Sequence, residues 1–482
     1  MKWTTENRYK RYEDWTEKEL QELKDLNAQS PWHNHYHVEP ATGLLNDPNG
    51  FSYFDGKWVL FYQNFPFGAA HGLKQWVQLE SDDLVNFKET GLKVLPDTPL
   101  DSHGAYSGSA FQVEDKLFLF YTGNVRDENW IRHPKQIGAF LHKDGTLEKI
   151  DQVLIEQPSD ATDHFRDPQI FQYEGEFYAI VGGQDLEKKG FVRLYKAEDK
   201  DIRNWTEVGD LDFANDRTAY MMECPNLVFI DQQPVLLYCP QGLDKNVFDY
   251  QNIYPNLYKI GQSFDSTTAK MVDVGSLMQF DYGFETYATQ GFNAPDGTAY
   301  AISWMGLPDV SYPSDAFEHQ GCMSLVKKLS LKDGKLYQEP VEAMKELRQA
   351  QEAWADRVDT DNSYELELTV PAGQDANLVL FANADKKGLD IQIDREAGRL
   401  TVDRSGLAHR FDLEHGESRD LELPEGDTKL QIFIDQSTFE IFINGGEFVL
   451  SGRAFPGQDQ TGCYLTKGQV TGHYYPLSFN GR

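Results

Sequence analysis

Residues 174–183 read EGEFYAIVGG: a Glu174-Gly175 turn, then the apolar run Glu176–Gly183. Such a run, bounded by turn residues and rich in aromatic and β-branched side chains, reads as a β-strand. It does not stand alone. Lys57–Gln63 (KWVLFYQ), Leu117–Gly123 (LFLFYTG), Pro234–Pro240 (PVLLYCP) and Thr298–Gly306 (TAYAISWMG) repeat it at intervals of about 60 residues. Each follows a turn: Asp55-Gly56, Glu114-Asp115, Asp231-Gln232 and Asp296-Gly297. Five hairpin units at one period predict a radial array, because one such sheet cannot bury both faces alone. A β-propeller with five blades satisfies that requirement.

A polar segment precedes each hairpin. These are Asn46–Gly50 (NDPNG), Tyr106–Ser109 (YSGS), Arg166–Gln169 (RDPQ), Glu223–Asn226 (ECPN) and Tyr287–Gly291 (YATQG). If the first strand of every blade faces the axis, these segments converge there. Asp47 and Asp167 lie two repeats apart, each followed by Pro, and Glu223 comes about one repeat later. Glu223 stands two residues before its proline rather than one, so it is expected near the axis but at a different level.

Outside the array the pattern changes. Thr16–Glu19 fits a capping box, and Leu20, Leu23 and Leu26 follow at helical spacing until Ser30-Pro31. Gln338–Asp356 reads as a helical or extended connector. Beyond it come short strands without the 60-residue period, among them Tyr364–Val370, Leu389–Asp394, Leu430–Asp435 and Phe439–Asn444, with a tight turn at Asn444-Gly445-Gly446. The predicted class is all-β. A helical segment (1–30) precedes a five-bladed propeller (31–340); a linker (341–356) leads to a β-sandwich (357–482).

Composition narrows the function. The 482 residues hold 45 Lys+Arg against 77 Asp+Glu, a net charge of −32. That field repels polyanions, so neither nucleic acid nor an anionic membrane is the expected partner. No apolar run reaches the ~18 residues of a membrane helix, and the N-terminal sequence has no apolar core of a secretory signal. Cys224, Cys239, Cys322 and Cys463 are scattered without a CxxC pair, which predicts reduced thiols in a cytoplasmic protein. No metal ligand set emerges; His33, His35 and His37 read as a loop, and no cofactor is expected.

Three carboxylates in one funnel suit glycoside hydrolysis. One attacks the anomeric carbon or activates water, a second protonates the leaving oxygen, and further negative charge steadies an oxocarbenium-like transition state. Carboxylates packed together cannot all ionise freely, so at least one pKa should rise.

Tyr36–Gly50 (YHVEPATGLLNDPNG), Phe165–Pro168 (FRDP) and Glu223-Cys224-Pro225 resemble three motifs of glycoside hydrolase family 32, the β-fructosidases and invertases. So do Tyr106–Ala110, Asp281–Gln290, Trp304–Gly306, Gly321–Met323 and Thr438–Pro456. The resemblance implies Asp47 as nucleophile at fructosyl C2, Glu223 as acid and then base, and Asp167 as transition-state stabiliser, with retention of configuration. It implies a fructosyl pocket of Leu45, Asn46, Gln63, Tyr106, Ser107, Arg166 and Trp304.

Within the family the chain is similar to the bacterial enzymes that act on phosphorylated sucrose. The N-terminal helical segment and the loop Phe65–Trp76 (FPFGAAHGLKQW) carry that similarity. The implied reaction is cleavage of sucrose 6-phosphate, and of sucrose itself, to the glucosyl product and fructose. Arg126, Arg132, His133 and Lys135 form the basic cluster expected to meet the phosphate. Alternatives on the same site are exo-cleavage of levan or inulin and fructosyl transfer; a non-catalytic sugar binder is a further one. A small sugar is the expected partner, and a homodimer is possible.

Overall fold

The computed structural model describes residues 3–479. Residues 1–2 and 480–482, at the outer limits of the first and last predicted segments, lie outside them. Near the N-terminus are two short helices, Thr5–Arg8 and Glu17–Asn27. The second is capped reciprocally: Glu19 N–H donates to Thr16 Oγ1 at 3.2 Å, and Thr16 N–H donates to Glu19 Oε2 at 2.8 Å.

Five antiparallel meanders follow in chain order. Their first strands are β1 (Gly43–Phe54), β2 (Ala105–Val113), β3 (Ala161–Tyr173), β4 (Met221–Ile230) and β5 (Tyr287–Asn293). The five apolar runs of the sequence are the second strands. They are continuous rather than alternating because neighbouring sheets bury both of their faces; Leu117 to Tyr121 are fully inaccessible. The first strands touch in cyclic order, with β5 returning to β1. The strand His319–Gln320 also pairs in parallel with the start of β1, so a late segment of the ring is tied to its first sheet.

A belt of buried polar side chains holds the first strands together. Asn49 Oδ1 accepts from Gly108 N–H (2.9 Å), Ser109 Oγ from Ile170 N–H (2.9 Å), and Gln169 Oε1 from Leu227 N–H (2.8 Å). Asn226 donates to the Thr289 carbonyl (3.2 Å), and Gln290 Oε1 accepts from Phe51 N–H (2.7 Å), completing the circuit. These five occupy the fourth position of the five polar segments. These bonds make their burial tolerable, although the Asn226 side-chain oxygen has no hydrogen-bond partner among the described residues.

The polar segments thus lie on the first strands rather than before them. In every sheet the ladder slips there, three steps on the first strand against two on the second: Leu45/Pro48, Ala105/Gly108, Arg166/Gln169, Glu223/Asn226 and Tyr287/Gln290. Such bulges re-aim side chains. Asp167, Cys224 and Ala288 take positive φ angles of 67°, 48° and 49° within them.

The connector is a 3-10 turn at Glu342–Leu347 followed by extended chain. The C-terminal region is two six-stranded antiparallel sheets over one apolar core, including Leu366, Ile432 and Ile441 from one sheet and Leu380, Ile391 and Val402 from the other. A buried polar cluster fastens it to the first region. Asp435 accepts backbone N–H groups from His35, Tyr36 and His37 at 2.7–2.9 Å. The His37 ring spans Asp435 Oδ2 (2.9 Å) and Glu440 Oε1 (3.1 Å), and Lys327 Nζ lies 3.3 Å from Glu440 Oε2. The His33–His37 segment leads into β1, so this anchor helps fix the strand that carries Asp47. His37 is therefore more than the loop residue that the sequence reading made it.

Candidate active site

The five bulges open on one cavity of about 560 Å³, within the range of small-molecule sites. The first position of each polar segment lines it: Asn46, Tyr106, Arg166, Glu223 and Tyr287. So do the second positions Asp47, Ser107 and Asp167, whereas the matching Cys224 and Ala288 lie beneath the cavity floor. The offset of Glu223 agrees with its place two residues before proline. Glu223 is the equivalent of Asn46 and Arg166, and Cys224 takes the place of the two aspartates.

Asp47 is held from both sides. Its Oδ1 accepts from Asn46 Nδ2 at 3.1 Å, and its Oδ2 accepts from the Ser107 hydroxyl. Asn46 also donates to Gln63 Oε1 (2.6 Å), and its own carbonyl accepts from Lys74 Nζ (2.5 Å). The lysine thus orients the amide that faces Asp47. Burial raises the Asp47 pKa and Glu223 raises it further, while Ser107, Asn46 and Lys74 pull it back. Burial lowers Lys74 to about 7 against the attraction of Asp47.

Asp167 Oδ2 accepts from Cys224 N–H at 3.0 Å. Burial pushes its carboxyl up to about 7, against Arg166 and with the repulsion of Glu223 and Asp47. The expected rise in a crowded carboxylate set is thus found at Asp47 and Asp167. The Cys224 sulfur lies 3.7 Å from Asp47 Oδ2 and 3.6 Å from Asp167 Oδ2, so one small side chain separates the two acids. Glu223 receives Arg166 through Nε (3.1 Å) and Nη2 (2.5 Å) on Oε1, and the Tyr287 hydroxyl (2.6 Å) on Oε2. Trp304 lines the cavity from the end of its strand; its indole N–H has no hydrogen-bond partner among the described residues.

Leu45 does not join this set. Its side chain is fully buried in the core, because it precedes the bulge that turns Asn46 and Asp47 inward. Of the basic cluster, Arg126 and Arg132 line the cavity, but His133 and Lys135 do not. His133 points to Asp127 (3.0 Å), and Lys135 opens a strand paired with Gly123. The sequence reading missed Arg8, Tyr9, His71, Lys74, Tyr287 and Asp309, all of which line the wall. Tyr287 was legible as the fifth polar segment. Arg8 and Tyr9 come from the N-terminal helix and its end, and His71, Lys74 and Asp309 from loops between strands.

Among the described residues one trio could hold a metal ion. His33, Glu39 and His319 bring ligand atoms within 4.8 Å of one another, away from the cavity lining. His33 is already occupied by Glu39 (3.1 Å) and the Asn27 carbonyl (2.9 Å).

A polar cavity with three carboxylates and a matched set of amide, hydroxyl and guanidinium groups is equipped to cleave a glycosidic bond. Comparison with known proteins agrees. The profile of the glycosyl hydrolases family 32 N-terminal domain matches residues 37–340, and that of the family 32 C-terminal domain matches residues 332–478. The chain belongs to glycosyl hydrolase family 32. It is 58% identical to the sucrose-6-phosphate hydrolase of Streptococcus mutans over 98% of both chains. It is 50% identical to that of Lactococcus lactis subsp. lactis, over 95% of this chain and 96% of that one. The solved sucrose-6-phosphate hydrolase of Lactobacillus gasseri superposes with a TM-score of 0.96 at 43% identity, over 99% and 100% of the two chains. A Bombyx mori GH32 beta-fructofuranosidase variant in complex with sucrose gives 0.83 at 27% identity, over 96% and 99%.

Proposed function

We propose that this enzyme hydrolyses sucrose 6-phosphate, and sucrose less well, with retention of configuration through a fructosyl–enzyme intermediate. The five meanders are the blades of a propeller, and the reacting bond lies on its axis. The observation that carries the reading is the convergence of Asp47, Asp167 and Glu223 on one cavity that also exposes Arg126 and Arg132. The relatives' names support the phosphorylated substrate.

In the first step an Asp47 oxygen attacks fructosyl C2 and the bond from C2 to the glucosyl oxygen breaks. That oxygen leaves with the proton of Glu223. In the second step Glu223 takes a proton from water, the water oxygen attacks C2, and the bond to Asp47 breaks. Two displacements return the original configuration. Positive charge at C2 grows in both, and Asp167 beside Asp47 stabilises it without moving. Asn46, Gln63, Ser107 and Trp304 offer the donors and acceptors that orient a fructosyl ring.

The four buried, unpaired cysteines support a cytoplasmic location. The test is kcat/KM on sucrose 6-phosphate, sucrose and inulin. We expect the phosphorylated sugar to lead sucrose by about tenfold or more, the worth of one charge-assisted contact. Equal values for the two sucroses, or faster cleavage of inulin, would refute the substrate assignment.

A further inference from the structure

The family profile begins at residue 37, yet two cavity-lining residues, Arg8 and Tyr9, come from upstream of it. We propose that this N-terminal segment is the element that recognises the substrate's phosphate, with Arg8 joining Arg126 and Arg132 in a three-guanidinium seat. The inference rests on the substrate reading above and adds to it a specificity-determining residue from outside the matched domains.

The segment is fixed where it lies. The Arg8 carbonyl accepts from Leu73 N–H (2.7 Å), the Tyr12 hydroxyl donates to the Leu73 carbonyl (2.7 Å), and Arg11 donates to the Ser102 carbonyl (2.9 Å). Trp3 packs edge-on against Phe65 and donates to Glu318 (3.0 Å). The Tyr9 ring meets the exposed Trp130 edge to face at 5.0 Å, closing the segment onto the loop that carries Arg126 and Arg132.

The guanidinium groups are under-used by the protein. The Arg8 guanidinium makes one long hydrogen bond, to the His71 carbonyl at 3.4 Å, and that of Arg126 one to the Trp130 carbonyl at 2.9 Å while stacking over the Trp130 ring at 5.1 Å. The Nε atoms of both are buried without a hydrogen-bond partner among the described residues. Arg132 Nε faces Asp163 at 3.2 Å, outside hydrogen-bond geometry. Burial lowers the Arg132 pKa most, and Arg166 and Arg126 lower it further while Tyr106 and Asp163 oppose them. A phosphomonoester is a dianion whose oxygens accept forked guanidinium donors. In a chain of net charge −32 such a concentration of arginine has a specific anion to serve.

The test measures kcat/KM for sucrose 6-phosphate and sucrose in wild type, Arg8→Gln and Arg8→Lys. Inhibition of sucrose hydrolysis by inorganic phosphate is read in the same proteins. We expect Arg8→Gln to lower the ratio of phosphorylated to neutral kcat/KM by about 10- to 100-fold and to weaken phosphate inhibition. Arg8→Lys should restore part of both. Parallel losses on the two substrates with unchanged phosphate inhibition would overturn the role of the segment. A wild-type enzyme that already treats the two substrates alike would overturn the substrate reading instead. Should Arg8→Gln fold poorly, Arg8→Lys still decides, since it keeps the charge and loses the fork.

Discussion

Replacing His37 by glutamine should remove a pH-dependent share of stability where the two halves of the protein meet. His37 is fully buried between Asp435 and Glu440, with Thr438 Oγ1 at 3.2 Å and Lys327 beyond Glu440. Burial opposes its charge, but the two carboxylates outweigh that and raise its pKa from 6.5 to about 9. At about 1.4 kcal/mol per unit, the difference amounts to about 3 kcal/mol. The folded-state value is the higher one. The contribution is therefore whole below about pH 6.5 and is lost as the pH rises through about 9. Urea unfolding of wild type and His37→Gln at intervals from pH 6 to 9.5 measures this. Wild type should lose about 3 kcal/mol more than the variant across the window. At pH 6 the variant should lie about 3–5 kcal/mol below wild type, because two buried carboxylates lose a cation. Parallel stability curves across that window would refute the reasoning.

Three further outcomes follow from the geometry. Asp47→Asn should cut kcat by about four orders of magnitude while sugar binding, read by calorimetry, persists; undiminished turnover would exclude Asp47 as nucleophile. Lys74→Met removes the cation that lowers the Asp47 pKa, so the acid limb of kcat/KM should move to higher pH, and an unmoved limb would separate Lys74 from Asp47. Burial pushes the Cys224 and Cys239 thiols well above the ordinary range and Cys322 up to about 12, so a thiol reagent at pH 8 should find no fast-reacting cysteine until the protein is unfolded.

Much of the fold was legible because the second strands are buried on both faces, and unbroken apolar runs survive in the sequence. The first strands were harder. A bulge at the same place in every sheet puts polar residues where alternation would demand apolar ones, so NDPNG and its counterparts read as segments before a strand. Asp47, Asp167 and Glu223 could be singled out as carboxylates at repeat positions. The offset of Glu223 was legible too, since it stands one place further from its proline than the aspartates do, and Cys224 fills the aspartate position in the fourth sheet. Lys74 and Arg8 gave no signal at all. Lys74 lies in irregular chain between two strands and Arg8 ends a one-turn helix, and only the folded chain brings them to the cavity. His133 and Lys135 show the converse: neighbours in sequence to Arg132, they are turned away by an ion pair and a strand ladder.

The central claim is a covalent fructosyl bond to Asp47. An aryl fructoside has a leaving group that departs without a proton, so Glu223→Gln should still form the intermediate and then hydrolyse it slowly. Mass spectrometry of peptides from the quenched reaction should show one hexosyl unit on the peptide bearing Asp47. A hexosyl unit on any other residue, or a first product with inverted configuration at C2, would contradict the account.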